Sequence, residues 1–157
     1  MNYQLNFTIP QGPTGPVAGL SVYGGKYNNT SSTLSLGLGT KTQIPLPLSL
    51  PSQNTIYTTT NSITVQQGGI YEINYFANLS VAIGTTVTLA VRANGTNIPS
   101  TVTSKVLSVS TSSIYSGSTI VQLQANTNID MAISALVAVG ITLNTGTNAT
   151  ITVKKIS

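Results

Sequence analysis

Cysteine, histidine and tryptophan are all absent from this chain of 157 residues, and it holds only two acids. Each absence removes a chemistry. Without cysteine there is no disulfide and no thiolate nucleophile. Zinc loses its nitrogen and sulfur ligands when both cysteine and histidine are missing. Losing histidine also removes the commonest general base. The two acids are Glu72 and Asp130. A two-carboxylate hydrolase needs such a pair, held close together. Here Glu72 falls on the polar side of an alternating segment, and Asp130 follows Asn126-Thr127-Asn128, where an Asp typically bonds nearby backbone. Calcium asks for several converging carboxylates. No catalytic residue, cofactor or metal is therefore expected, and the chain does not read as an enzyme.

Charge is scarce. Charged residues make up 5% of the chain, against roughly 25% in an average soluble domain. The six basic residues, Lys26, Lys41, Arg92, Lys105, Lys154 and Lys155, are dispersed. They form no basic stripe with interleaved aromatics, so nucleic acid is not an expected partner and the bases read as solvated surface. So little charge leaves two ways to stay in solution: a coat of Ser, Thr, Asn and Gln, or a surface hidden against other copies. Long apolar runs are missing too. The most apolar segment, Met131–Ile141, is too short to span a bilayer as a helix, so no membrane insertion is expected. Met1–Phe7 has neither a basic region nor an apolar core, which does not fit a signal peptide.

What the chain does contain is β-branched residues, glycine and proline. Residues 1–19 read as an extended arm with Pro10, Pro13 and Pro16. Within it, Gly12-Pro13-Thr14-Gly15-Pro16-Val17 makes two collagen-like triplets, and Ala18 stands where a third glycine belongs. From residue 20 to 157 the pattern is one of strands. Tyr71, Ile73, Tyr75, Ala77, Leu79, Val81 and Ile83 alternate with Glu72, Asn74, Phe76, Asn78, Ser80 and Ala82. That alternation marks a long strand with one buried face. Val87, Leu89, Val91 and Ala93 repeat it and run into Asn94-Gly95, a hairpin signal. Ile44–Pro51 holds three prolines, so it reads as an extended crossing rather than a central strand. Gly24-Gly25-Lys26 lacks the rest of a phosphate loop and reads as a bend in the first strand. The sequons at Asn6, Asn28, Asn29, Asn78, Asn94 and Asn148 are what an Asn- and Thr-rich chain throws up by chance. No helix candidate emerges. About ten short strands separated by turns point to an all-β antiparallel sandwich or jelly roll.

Several stretches carry a resemblance: "GPTGP", "LSVYGGKY", "ITVQQGGIYEINYFANLS", "VTLAVRANGTNIP" and a closing "NATITVKKIS". In this order they resemble the C-terminal domain of the collagen-like glycoproteins of the bacterial exosporium. That domain is similar to the globular heads of complement's first component and of tumour necrosis factor. The best-matched piece is the strand start at Gly69 and Tyr71. The resemblance implies a homotrimeric jelly roll and a structural role on the spore surface. It also implies synthesis in the mother-cell cytoplasm without a signal peptide. Implied partners are further copies of the chain, other spore-coat proteins and glycans. The stub at Gly12 and Gly15 then makes sense as the end of a stalk held together by the trimeric domain. The alternative is a trimeric receptor- or glycan-binding tip of a phage fibre or adhesin, with Tyr23, Tyr27, Tyr57 and Tyr115 as the aromatics it would use.

A trimer needs an interface. In Met131–Ile141 both alternating faces are apolar, so one strand there would have to be covered on both sides. Met131, Ala132, Ser134, Leu136, Ala138 and Gly140 are accordingly the candidate interface residues.

Overall fold

The computed structural model describes residues 19–157. The stub glycines Gly12 and Gly15, and the rest of the arm through residue 18, lie outside the described residues. From Tyr23 onward the chain is built of strands: β1 (Tyr23–Asn28), β2 (Ser32–Leu36), β3 (Thr42–Gln43), β4 (Leu48–Ser49), β5 (Thr55–Ile56), β6 (Ile63–Val65) and β7 (Gly69–Val81). Then follow β8 (Thr85–Ala93), β9 (Thr96–Asn97), β10 (Thr103–Leu107), β11 (Ser113–Leu123), β12 (Thr127–Ala135), β13 (Val139–Leu143) and β14 (Ala149–Lys155). β3, β4, β5 and β9 have two residues each, which leaves ten longer strands, as the sequence pattern predicts. Among the described residues the helical element is a single 3₁₀ turn, Pro99–Thr101.

All named pairs are antiparallel, and they form two seven-stranded sheets. The first sheet runs β2-β13-β7-β14-β1-β4, with β11 on the free side of β7. The second runs β10-β8-β12-β6-β5, with β3 beside β12 and β9 beside β8. The alternation in β7 works as its sequence implies. Tyr71, Ile73, Tyr75, Ala77, Leu79 and Val81 point inward and are buried. They meet Val87, Leu89 and Val91 of β8 and Met131 and Ile133 of β12 in one continuous core. Two tyrosines tie the sheets together: the Tyr115 hydroxyl donates to the Val87 carbonyl at 2.8 Å, and that of Tyr75 to the Thr101 carbonyl at 3.3 Å. The proline-rich crossing sends Ile44 and Leu46 fully into the core, so it anchors the sandwich as well as wrapping it. Asn94 and Gly95 both take positive φ, at 50° and 80°, and close the β8–β9 hairpin.

Met131–Ile141 is not one strand. β12 ends at Ala135 in the second sheet, residues 136–138 turn, and β13 starts at Val139 in the first. The turn contains neither glycine nor proline, so periodicity alone reads straight through it.

Both chain ends described lie at one pole. The Lys155 amide donates to the Val22 carbonyl at 2.8 Å, and the Ile70 amide to the Ser157 carbonyl at 2.9 Å. β7 runs from that pole to the other, about 40 Å at the usual rise of about 3.3 Å per residue.

Candidate functional site

The strand start at Gly69 and Tyr71 is structural. Gly69 has φ of 154°, and a Cβ there would collide with Lys155 and the Ser157 carbonyl. Tyr71 is buried, and its hydroxyl donates to the Gln67 carbonyl at 2.7 Å. The pair locks the C-terminal strand against the start of β7.

Glu72 and Asp130 are kept far apart. Glu72 lies on the outer face of the first sheet, 2.9 Å from the Lys154 ammonium. The Lys154 and Asn74 side chains hold its carboxyl below the usual carboxylate range. Asp130 lies on the outer face of the second sheet. Arg92 grips it with Nε and Nη2 at 2.7 and 2.6 Å, and the Gln43 amide donates to it at 2.7 Å. Two sheets, packed about 10 Å apart, separate the carboxylates. They cannot flank one substrate bond, and each already has a partner.

Gly24-Gly25-Lys26 is regular strand within β1, not a bend. Lys26 points inward and is only 3% exposed, which departs from the solvated surface that its spacing suggests. Its Nζ sits 3.4 Å from the Ser49 hydroxyl and 5.1 Å over the Tyr57 ring, and burial pulls its pKa down. The tyrosines divide in the same way. Tyr115 is buried, and its hydroxyl is pushed up to about 12 by desolvation. The Tyr57 hydroxyl bridges the Gly25 amide and the Leu50 carbonyl. Tyr115 therefore has no ring face open to a sugar, and the hydroxyl of the half-buried Tyr57 is spent inside the fold. Tyr23 and Tyr27 stay half-exposed on the outer face of β1. Asn28 and Asn148 are buried and bonded to backbone, so these two sequons are structural.

The residues expected to form one interface are dispersed. Met131 is in the core, Ala132 is covered on the outer face of the second sheet, and Ser134 is half-buried beside it. Leu136 and Ala138 are exposed in the turn after β12, and Gly140 belongs to β13 of the other sheet. No single surface contains them.

A different surface sets aromatic and aliphatic residues among small polar ones. Across the outer face of the first sheet, the registers align Ser116, Phe76, Thr150, Tyr27 and Leu48 in one row. A second row holds Ile120, Glu72, Lys154 and Tyr23. The Glu72–Lys154 pair is the whole charge on this face among the described strands. β11 forms its edge. This strand has eleven residues, no charge and no proline, and it leaves Ile114 and Ile120 exposed. On the second sheet, β10 exposes Val106 on the outer face, in line with Ser104. Sequence reasoning passed over Phe76 because it occupies a polar position of the β7 alternation. An aromatic ring out of register was the available signal.

Residues 24–157 match a family model described as the BclA C-terminal domain. Several solved structures share the fold. The Eiger tumour necrosis factor of S. frugiperda aligns with a TM-score of 0.61 and 12% identity, over 88% of this chain and 94% of that one. The globular domain of zebrafish complement 1qA gives 0.59 and 14%, over 87% and 98%. Murine APRIL at pH 5.0 gives 0.55 and 12%, over 86% and 98%. No curated protein sequence matches the chain.

Proposed function

We propose, from the premise that this chain belongs to the BclA C-terminal domain family, that it is a non-catalytic, homotrimeric building block of the bacterial spore surface. The family is one of exosporium proteins, and its fold is that of the tumour necrosis factor and complement heads. The observation that carries the reading is the set of aromatic and aliphatic residues on the outer face of the first sheet and along its β11 edge. A closed three-fold ring needs two different surfaces on every copy, each complementary to the other. The chain offers a central patch and a rim: Phe76, Tyr27 and Leu48 within the outer face, and Ile114 and Ile120 along its β11 edge strand. Edge of one copy against face of the next uses both. Full burial of such a side chain contributes about 1.5–3 kcal/mol, and the half-buried Phe76, Tyr27 and Leu48 contribute the part of that which they still expose. Glu72 and Lys154 neutralise one another, so the contact does not bury a lone charge.

The glycan-binding alternative loses Tyr115 to burial, and the Tyr57 hydroxyl is already engaged by the Gly25 amide and the Leu50 carbonyl. Its remaining tyrosines, Tyr23 and Tyr27, lie on the face assigned to the trimer. Sedimentation equilibrium tests the assembly. A mass three times 16.2 kDa supports it, and a mass of 16.2 kDa overturns it. Immunogold labelling of purified spores tests the location.

A further inference from the structure

The pole opposite the chain ends is tipped with aliphatic side chains. Four loops meet there. The Leu136 amide donates to the Thr86 carbonyl, Ala82 to Gly140, Gly39 to Ala135 and Ser110 to Val81. These bonds bring the turns after β2, β7, β10 and β12 to one end of the sandwich. Each turn carries large aliphatic residues between small ones: Gly37-Leu38-Gly39, Ala82-Ile83-Gly84, Ser108-Val109-Ser110 and Ala135-Leu136-Val137-Ala138. Leu38 is 72% exposed, Leu136 67%, Ile83 57% and Val109 55%. None of these four packs in the core. Turns are ordinarily polar, and folding gains nothing from four aliphatic pegs at their tips. An exposed apolar cluster of this kind marks a binding surface.

We propose that this pole is a lipid-contacting tip that seats its aliphatic pegs in an anionic lipid surface. Three properties select that occupant. The pegs stand singly on four separate turns, each flanked by small residues, so each can enter a soft surface on its own. The cluster is all Leu, Ile and Val, which partition favourably into hydrocarbon. It lacks the Trp, Tyr and Arg anchors that dominate protein–protein hot spots. Finally, the four loops contain no acid and one base, the exposed Lys41 in the same loop as Leu38, which suits anionic headgroups. The contact is superficial, since each peg is a single side chain on a short turn. The inference rests on the fold and on these loops, and it stands whether or not the chain forms a trimer.

The test is co-sedimentation of the full chain with vesicles of phosphatidylcholine containing a minority of phosphatidylglycerol, alongside pure phosphatidylcholine vesicles. The native protein should pellet with the mixed vesicles and more weakly with the neutral ones. The double variant Ile83→Ser/Leu136→Ser should lose at least tenfold in partitioning while keeping its melting temperature and mass. Lys41→Gln should remove the preference for the anionic vesicles. The proposal fails if the native protein stays in the supernatant, or if the double variant binds as well as the native chain. It also fails if sedimentation velocity without lipid shows a larger species that the double variant loses, because the pole would then meet a second copy. Should the double variant unfold, Leu38→Ser, which sits between two glycines, carries the same test.

Discussion

The two outer faces of the sandwich are built from the same residue economy and come out opposite. The second sheet presents rows of small residues, Ser104, Thr88 and Ser134 in one and Ala90, Ala132 and Gln43 in the next, with Val106 of β10 as its one large exposed aliphatic side chain among the described strands. Its charges, Arg92 and Asp130, hold each other in a two-point grip. The face is satisfied by itself, and the Ala90–Ala132 pair is covered by its neighbours. The first sheet places Phe76, Tyr27 and Leu48 on a floor of serine and threonine, and its edge strand carries two exposed isoleucines. A face whose two charges pair with each other buries little by meeting a partner. One that leaves aromatic and aliphatic area open beside an unprotected edge strand is made to be covered.

The comparison breaks most visibly at the open face. Ile120→Lys or Phe76→Lys should dissociate the trimer at micromolar concentration, because an unpaired charge in a dry contact costs several kcal/mol. Sedimentation equilibrium reads the result, and an unchanged mass for both variants would move the interface elsewhere. On the closed face, Asp130→Ala should leave the mass unchanged but strand a largely buried guanidinium. With side chains 15% and 10% exposed, the loss is about 2–4 kcal/mol. In a chain of this size that corresponds to a fall of roughly 5–15 °C in melting temperature, measurable by calorimetry.

Between the faces, Tyr115 gives a pH handle. Its folded pKa, about 12, lies above the unfolded value of 10.0. Its contribution is therefore complete below pH 10 and is lost as pH rises from 10 to 12, by up to about 2–3 kcal/mol. Urea midpoints against pH should drop over that window, and Tyr115→Phe should flatten the drop. Lys26 works in the opposite direction. Its lowered pKa favours the folded state as pH rises towards 10.5, which partly offsets the tyrosine just below that point. The smallest effect is expected at Leu136→Lys. The residue is exposed on a turn, so mass should be unchanged and stability should move within about 0.5 kcal/mol. Dissociation there would restore the β12 segment as the interface.

Leu136 also shows where reading the sequence runs out. Alternation finds strands because side-chain direction in a strand is a local property of the backbone. It therefore found β7, β8 and the core they build. It misread Met131–Ile141 because a three-residue turn of apolar residues has the same hydropathy as a strand. Lys26 failed for a related reason: isolated in sequence, it looks solvated, yet its inward register in β1 sets it beneath Tyr57. The lack of thiol and imidazole chemistry was fully legible, since an absent residue type is absent in any fold.

The sequence by itself determined the all-β class, the sheet-forming segments, the lack of thiol and imidazole chemistry, and the family through the motifs from Tyr71 to the closing strand. These depend on composition and on neighbours along the chain. Tertiary structure alone decided which sheet each strand joined, and so which outer face was left open. It separated Glu72 from Asp130 by the thickness of the sandwich and gathered four apolar turns at one pole. Those outcomes depend on pairings between residues distant in sequence, such as Phe76 with Ser116 and Thr150. Strand register fixes these pairings, and no local pattern encodes which partner a strand takes.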